Sequence, residues 1–324
     1  MKTGKLMQWT AVAALALSSV VSAQAAESSP SRAIRMIVPY APGGNTDVLA
    51  RIIAQRLTLS LGQQVVVDNR PGGNTLLGTS LVAQAQPDGY TIMLTTLTFA
   101  VVPSIYKKLP FDARRDFTPI TLAVTLPNVL VVHPSVPAKS LKELIAHAKA
   151  NPGKLNYAST GSGTSPHLSM ELLKTLAAVD LVHIPYKGGG PAMIDLIGGQ
   201  VSAQFIGLPV ALPHIKSGKL RALGVTSAKR AAAAPDLPTI GETLKGYELD
   251  PWFGVLGTGG MPRPVVQLLQ KEIARILQSP DLKEQLARMG AEPVGNTPEQ
   301  FAAHIASEIV KFSKLVKAAG VKVE

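Results

Sequence analysis

Apolar residues in this chain fall into short β-branched runs separated by stretches with a helical period, an alternation that predicts helices packed over largely parallel sheets. RMIVPY (35–40), QVVVDN (64–69) and YTIMLTT (90–96) read as three strands. The first intervening helix follows Asn45 and carries Val48, Leu49, Ile52, Ile53 and Leu57 on one face, and the second runs near 76–84. FTPITLAVTLPNVLVVHP (117–134) is too long for one ordinary strand, is interrupted by Pro127, and is expected to cross between lobes. The alternation then restarts: helix 140–150, strand 155–159, helix 165–176, strand 181–186, helix 191–197 and strand 202–207. LRALGVTS (220–227) and WFGVLGT (252–258) bring the chain back, and 264–316 is mostly helical with breaks at Ser279-Pro280 and Gly290.

The expectation is an α/β fold of two parallel-sheet lobes joined by crossing strands. Residues 26–122 with about 225–324 form lobe 1 and 123–224 form lobe 2, with part of the C-terminal helical region packing on lobe 2 as the open alternative. The C-terminal ends of parallel strands then face one another across a cleft, where open α/β sheets bind ligands, and two joined lobes permit hinge closure.

Composition adds a compartment. Lys2 and Lys5 precede the apolar run AVAALALSSVV (11–21) and Ala23-Gln24-Ala25, the pattern of a cleaved secretory signal peptide ending near residue 25. The apolar run is short for a membrane span, and the absence of Cys removes both lipid anchoring at a cysteine and disulfide stapling. The net charge of +11 points toward an acidic partner. Charged residues are only 16% of the chain, no block of five Lys/Arg occurs and aromatics are sparse, so nucleic acid is not the expected partner.

Four strand-to-helix loops carry anion-binding chemistry. In the first (39–51), Tyr40, Ala41 and Pro42 lead into Gly43 and Gly44, which let backbone approach a ligand, while Asn45 and Thr46 open a helix whose free N–H groups suit a carboxylate. Asp47 would repel that anion if it pointed inward, so it is read as stabilising the helix start or accepting from a ligand hydroxyl or ammonium. The second loop (68–78) repeats this chemistry with Gly72, Gly73, Asn74 and Thr75, and Arg70 as a nearby cation. The third (157–173) crowds Ser159, Thr160, Ser162, Gly163, Thr164 and Ser165 before a helix carrying His167 on its first turn. In the fourth (183–199), Tyr186, Lys187 and three glycines precede Pro191. Each loop also reads as an ordinary capped helix entry, and Lys187 as a solvated side chain.

Catalytic signatures are missing. There is no G-x-S-x-G elbow, H-E-x-x-H or Walker loop, the six histidines lack ligand spacing, and the dinucleotide fingerprint begun by Gly43-Gly44 and Asp68 lacks its third glycine. No catalytic residue, metal or cofactor is expected.

Taken in order, PYAPGGNTDVLAR, VVVDNRPGG, AQPDGYTIML, YASTGSGTSPHLSMELL, HIPYKGGGPAMIDLIGGQV, LPHIKSGKLRALGVTSAKR, APDLPTIGE and DPWFGVLGTGGMP resemble the Bug or TctC-like solute-binding proteins of tripartite tricarboxylate transporters across essentially the whole mature chain. The resemblance implies a periplasmic Venus-flytrap fold of the type II class that captures a small carboxylate and delivers it to membrane permease subunits, as a monomer and without turnover. It places Gly73, Asn74, Thr95, Thr96, Thr160, Gly163, Thr164, Ser165, His167, Tyr186, Lys187, Phe205 and Ile206 around the cleft with the first loop. Two departures stand out: relatives carry a Gly-Ala-Gly-Gly type loop where this chain has Gly72-Gly73-Asn74-Thr75, and often an Asp where it has Ile206. Losing that carboxylate suggests a less polar or non-amino acid as ligand. An exported lyase or hydrolase on the same scaffold, or a carboxylate sensor for a membrane kinase, are the alternatives.

Overall fold

A computed structural model describes residues 30–186 and 188–321, so the signal-peptide reading (1–25) and the Lys187 reading lie outside the described residues. Three strands, β1 (Ile34–Val38), β2 (Val65–Asn69) and β3 (Thr91–Thr96), pair in parallel with β1 between the other two. With β4 (Phe117–Thr125), β10 (Trp252–Thr258) and β11 (Glu292–Pro293) they form a sheet of order β11-β4-β10-β3-β1-β2. The second sheet contains β5 (Asn128–Val132), β6 (Asn156–Ser159), β7 (Val182–Pro185), β8 (Ala203–Gly207) and β9 (Arg221–Val225) in the order β7-β6-β8-β5-β9.

Both sheets share one wiring plan: three parallel strands in the order second, first, third, then a strand arriving from the other lobe, then one more, to which the first sheet adds the short β11 at its edge. The arriving strands make the sheets mixed rather than wholly parallel. β10 runs antiparallel to β3 and β4, and β5 antiparallel to β8 and β9. Each enters from the cleft side after crossing, against strands whose C-terminal ends face that cleft. The crossings are bonded together: Leu126 N–H donates to the Pro251 carbonyl (3.0 Å), and Thr226 N–H to that of Asn128 (2.9 Å).

Helices cover the sheets through amphipathic stripes. On α1 (Asn45–Leu61) the buried stripe is Leu49, Ala50, Ile53, Ala54, Leu57 and Leu61; Val48, expected on it, is exposed. α2 (Leu76–Ala83) follows β2, α4 (Leu141–Ala150) follows β5, α5 (Ser165–Ala177) follows β6, and α6 (Gly189–Ile197) follows β7. Three helices escape the sequence pattern. α3 (Thr98–Ile105) is apolar on nearly every side and contains Pro103, and α7 (Leu208–Lys216) contains Pro209 and Pro213, so neither shows a helical period. α8 (Ile240–Thr243) is a single turn. The C-terminal region folds as α9 (Arg263–Leu277), α10 (Pro280–Arg288) and α11 (Pro298–Ala319). α11 buries Phe301, Ile305, Ile309, Phe312 and Val316 in a core cluster that also holds Phe99 and Val101 of α3 and Leu168 and Leu173 of α5, so it packs on both lobes.

Candidate functional site

Among the described residues, six helices begin at the C-terminal ends of parallel strands: α1, α2 and α3 after β1, β2 and β3, and α5, α6 and α7 after β6, β7 and β8. None of the six has a side-chain cap. Of the five helices that start elsewhere, α4, α8 and α11 are capped by the side chains of Ser140, Thr239 and Thr297, while α9 and α10 have no side-chain cap. First-turn N–H groups have no intrahelical partner; at α2, α3 and α7 some of them donate instead to the Gly72 and Gly73 carbonyls, to Thr96 Oγ1 and to the Pro127 carbonyl, which leaves the α1 start the most open of the six. Such a start suits an anion.

In the first loop, Gly43 (φ 87°) turns the backbone and Gly44 is the uncapped N-cap, leaving the N–H groups of Asn45, Thr46 and Asp47 ahead of the first intrahelical bond, Val48 N–H to the Gly44 carbonyl (3.0 Å). Ala41, Pro42, Gly43 and Gly44 are exposed. Asp47 is committed elsewhere. Its carboxylate accepts from Gly43 N–H (3.0 Å) and Arg51 Nε (3.1 Å) and pairs with Arg51 Nη2 (3.0 Å). Burial opposes its charge, but Arg51, Gly43 and Asn69 outweigh that and hold its pKa below the ordinary value. In this arrangement the Asp47 carboxylate serves the helix start.

Tyr40 turns inward to Thr96, hydroxyl to hydroxyl at 2.6 Å, and Thr96 Oγ1 donates to Thr98 Oγ1 (3.3 Å). Burial raises the Tyr40 pKa against the help of Thr96, Thr98 and Thr95, so the phenol stays neutral and can donate. Thr95 and Thr98 are buried with it. Thr98 opens α3, a helix without an apolar period, and the Thr-Leu-Thr spacing after β3 is the sequence signal that marks it.

The third loop is ordered by its own bonds. Thr164 Oγ1 donates to the Gly161 carbonyl (2.7 Å), Asn128 Nδ2 donates to Ser165 Oγ (2.7 Å), and Gly163 N–H donates to His167 Nδ1 (2.9 Å), which puts the imidazole proton on Nε2. His167 stacks on His183 (4.0 Å between centroids), and His183 on Tyr157 (4.9 Å). Burial first, then the neighbouring His183 and Lys174, pull the His167 pKa down to about 3, so it is a neutral positioning group. His183 Nε2 lies 2.6 Å from Ser159 Oγ, but that hydroxyl is fully buried and also bonded within the turn to Gly161 N–H (3.1 Å) and carbonyl (3.2 Å). That geometry serves the turn rather than a nucleophile.

The depressed His167 pKa carries a stability consequence. Between its ordinary value near 6.5 and about 3, the unfolded chain binds a proton that the folded chain refuses, so stability falls as pH falls. At pH 5 this costs about 2 kcal/mol. His167→Asn, which keeps an acceptor for Gly163 N–H, should flatten the loss of Tm between pH 7 and pH 5; a wild-type pH profile unchanged by the substitution counts against the assignment.

Elsewhere, Thr160 lies at the α6 entry, 3.9 Å from where a Cβ on Gly189 would sit. Tyr186 donates to Asp195 Oδ2 (2.6 Å); burial and that carboxylate push its pKa up to about 12. Phe205, expected at the pocket, is fully buried in the core and stacks on Tyr247, because strand alternation turns it to the opposite face from Ile206. Ile206 packs with Val129, Ala158 and Leu208 and is nearly covered. Residues of different lobes oppose one another at two of the loops: Asn45 of α1 covers Gly207 at the end of β8, and Asn74 with Val101 and Ile105 faces Gly163. Among the described residues no cluster of His, Asp and Glu is arranged for a metal, and no helix is long and apolar enough to cross a membrane.

Comparison with known proteins agrees with this geometry. Residues 49–321 match the tripartite tricarboxylate transporter family receptor family, TctC, and the chain belongs to it. It is 40% identical to BugT of Bordetella pertussis over 96% of each chain. Two solved structures are similar: Rpa4515 of R. palustris with adipate (TM-score 0.86, 37% identity, 91% of this chain and 99% of that one) and MatC from Rhodopseudomonas palustris with bound malate (0.82, 31%, 89% and 99%). The two-lobed α/β fold is that of this receptor family.

Proposed function

We propose that this chain is a periplasmic receptor that closes on a small carboxylate and hands it to the membrane permease of a tripartite tricarboxylate-type transporter, binding as a monomer and without turnover. The observation that carries this reading is the set of six helix starts without side-chain caps gathered at the C-terminal ends of parallel strands, with the exposed Gly43-Gly44 turn leaving the N–H groups of Asn45, Thr46 and Asp47 ahead of the first intrahelical bond of α1. The adipate and malate in the two similar structures support the ligand class. Tyr40, Asn45, Thr96, Thr160 and Ser165 supply side chains around the backbone donors. Ile206, where an acid would favour an amino group, supports a non-amino ligand.

A thermal-shift panel tests this. A bound acid at a hundred times its Kd should add about 2.7 kcal/mol of stability, several degrees in Tm, and mass spectrometry should recover the acid unchanged after long incubation. Stabilisation by glutamate or aspartate with none by unsubstituted acids would overturn the non-amino preference, and conversion of the acid would overturn the receptor reading.

A further inference from the structure

On lobe 1 two exposed leucines stand beside cations that outnumber their carboxylates. Leu77 and Leu81 lie one turn apart on α2, 55% and 36% exposed, while Gly78, Thr79 and Val82 form the buried side of that helix. At the start of the preceding loop, Asp68 is shared by two guanidinium groups, those of Arg35 and Arg70, which leaves one positive charge in excess. No Asp or Glu follows until Asp88, and none lies between Asp88 and Asp112. Within that second stretch Lys107 and Lys108 are exposed, and neither makes an ion pair among the described residues.

The leucines and the lysines belong to one surface. At the end of α3 the Tyr106 hydroxyl donates to the Gly73 carbonyl (3.5 Å) and shares a hydrogen bond with the Asn74 side chain, which ties the Lys107-Lys108 pair to the loop between β2 and α2. Leu77 packs against the same loop: a Cβ on Gly72 would stand 3.6 Å from its Cδ2. Ile105, one residue before Tyr106, faces Gly163 of lobe 2, so this surface borders the mouth of the cleft.

Protein interfaces concentrate aromatic anchors at their centres. Every described Phe and Trp of this chain is buried, so none stands on this face. Leucines rimmed by lysines fit instead the headgroup boundary of a bilayer, where apolar side chains enter the lipid and Lys meets anionic phosphates. We propose that the face formed by α2 and the end of α3 is a peripheral docking surface for an anionic phospholipid bilayer, holding the receptor beside the membrane with its cleft mouth near the lipid. The contact is independent of the acid that the cleft takes.

Co-sedimentation with lipid vesicles tests this, using the chain from residue 26 onward so that the apolar run 11–21 cannot contribute. Binding is expected to vesicles of phosphatidylglycerol and phosphatidylethanolamine, weakened by salt, and not to phosphatidylcholine vesicles. A lysine at an anionic surface contributes about fivefold, so Lys107→Ala combined with Lys108→Ala should lose about 25-fold. Leu77→Ala combined with Leu81→Ala should lose several-fold, and both double variants should melt like wild type. Lys142→Ala combined with Lys149→Ala removes the same charge from the exposed side of α4 on lobe 2 and should bind nearly as wild type. An equal loss in that control, undiminished binding by either patch variant, equal binding to phosphatidylcholine, or no binding to any vesicle overturns the proposal. Retention on native membranes that protease treatment abolishes, with none on lipid vesicles, assigns the face to a protein and overturns it too.

Discussion

Replacing Gly207 by Ala is expected to weaken ligand binding by about five- to a hundredfold while leaving the ligand-free protein nearly as stable as wild type. Gly207 ends β8 with φ −55° and ψ 132°, a conformation open to any residue, so the substitution introduces no backbone strain. A Cβ there would overlap the Asn45 amide of the other lobe, with Asn45 Cγ at 2.9 Å. When the lobes part, the two groups separate, so the penalty falls on the closed form. Overpacking costs about 1–3 kcal/mol, which sets the expected loss of affinity. Titration calorimetry gives the affinity and scanning calorimetry the stability. In an Asn45→Ala background the new methyl has room, so its penalty should shrink; a penalty of equal size in both backgrounds would show that Gly207 acts through some other contact.

Gly254→Ala is expected to have the largest effect on folding. Gly254 pairs with Thr95 and Leu122 in the middle of β10, and a Cβ there would overlap the tip of the Phe301 ring, with Cε1 and Cε2 at 2.8 and 2.9 Å. The ring has little freedom to move. It is fully buried and packs edge-on against Trp252 (5.5 Å, 85°), whose indole donates to the buried Glu308 at 3.1 Å. The cost should lie at the upper end of the overpacking range, about 3 kcal/mol or more, and appear as a Tm loss of several degrees. Phe301→Leu should recover part of it in the double variant. A Gly254→Ala protein melting within a degree of wild type contradicts this packing argument.

The elements legible in the sequence are those whose apolar residues alternate with a clear period. β1, β2 and β3, their α1 and α2 partners and the second-lobe alternation all carry that signal, and the glycine-rich loops mark the strand ends. α3 and α7 carried none: one is buried nearly all round, the other is punctuated by two prolines. The antiparallel insertion of β5 and β10 was equally silent, because strand direction follows from the path of the chain and not from residue type. Side-chain direction had the same limit. Phe205 and Ile206 are neighbours in sequence but face opposite layers, so only one of them can lie toward a given layer. The opposition of Asn45 to Gly207 and of Asn74 to Gly163 pairs residues of different lobes, which no local pattern encodes.

The uncapped helix starts bear on how this receptor answers to conditions and to mutation. Peptide N–H groups do not titrate across the pH range in which proteins stay folded, so a carboxylate seated on them should be held equally well wherever the acid itself is ionised. Acidification would then release cargo at the pKa of the cargo, not of the receptor. The same donors remain when side chains are trimmed, so alanine scanning would under-report the seat. Drift in the surrounding side chains could exchange one acid for another while the grip on the carboxylate persists.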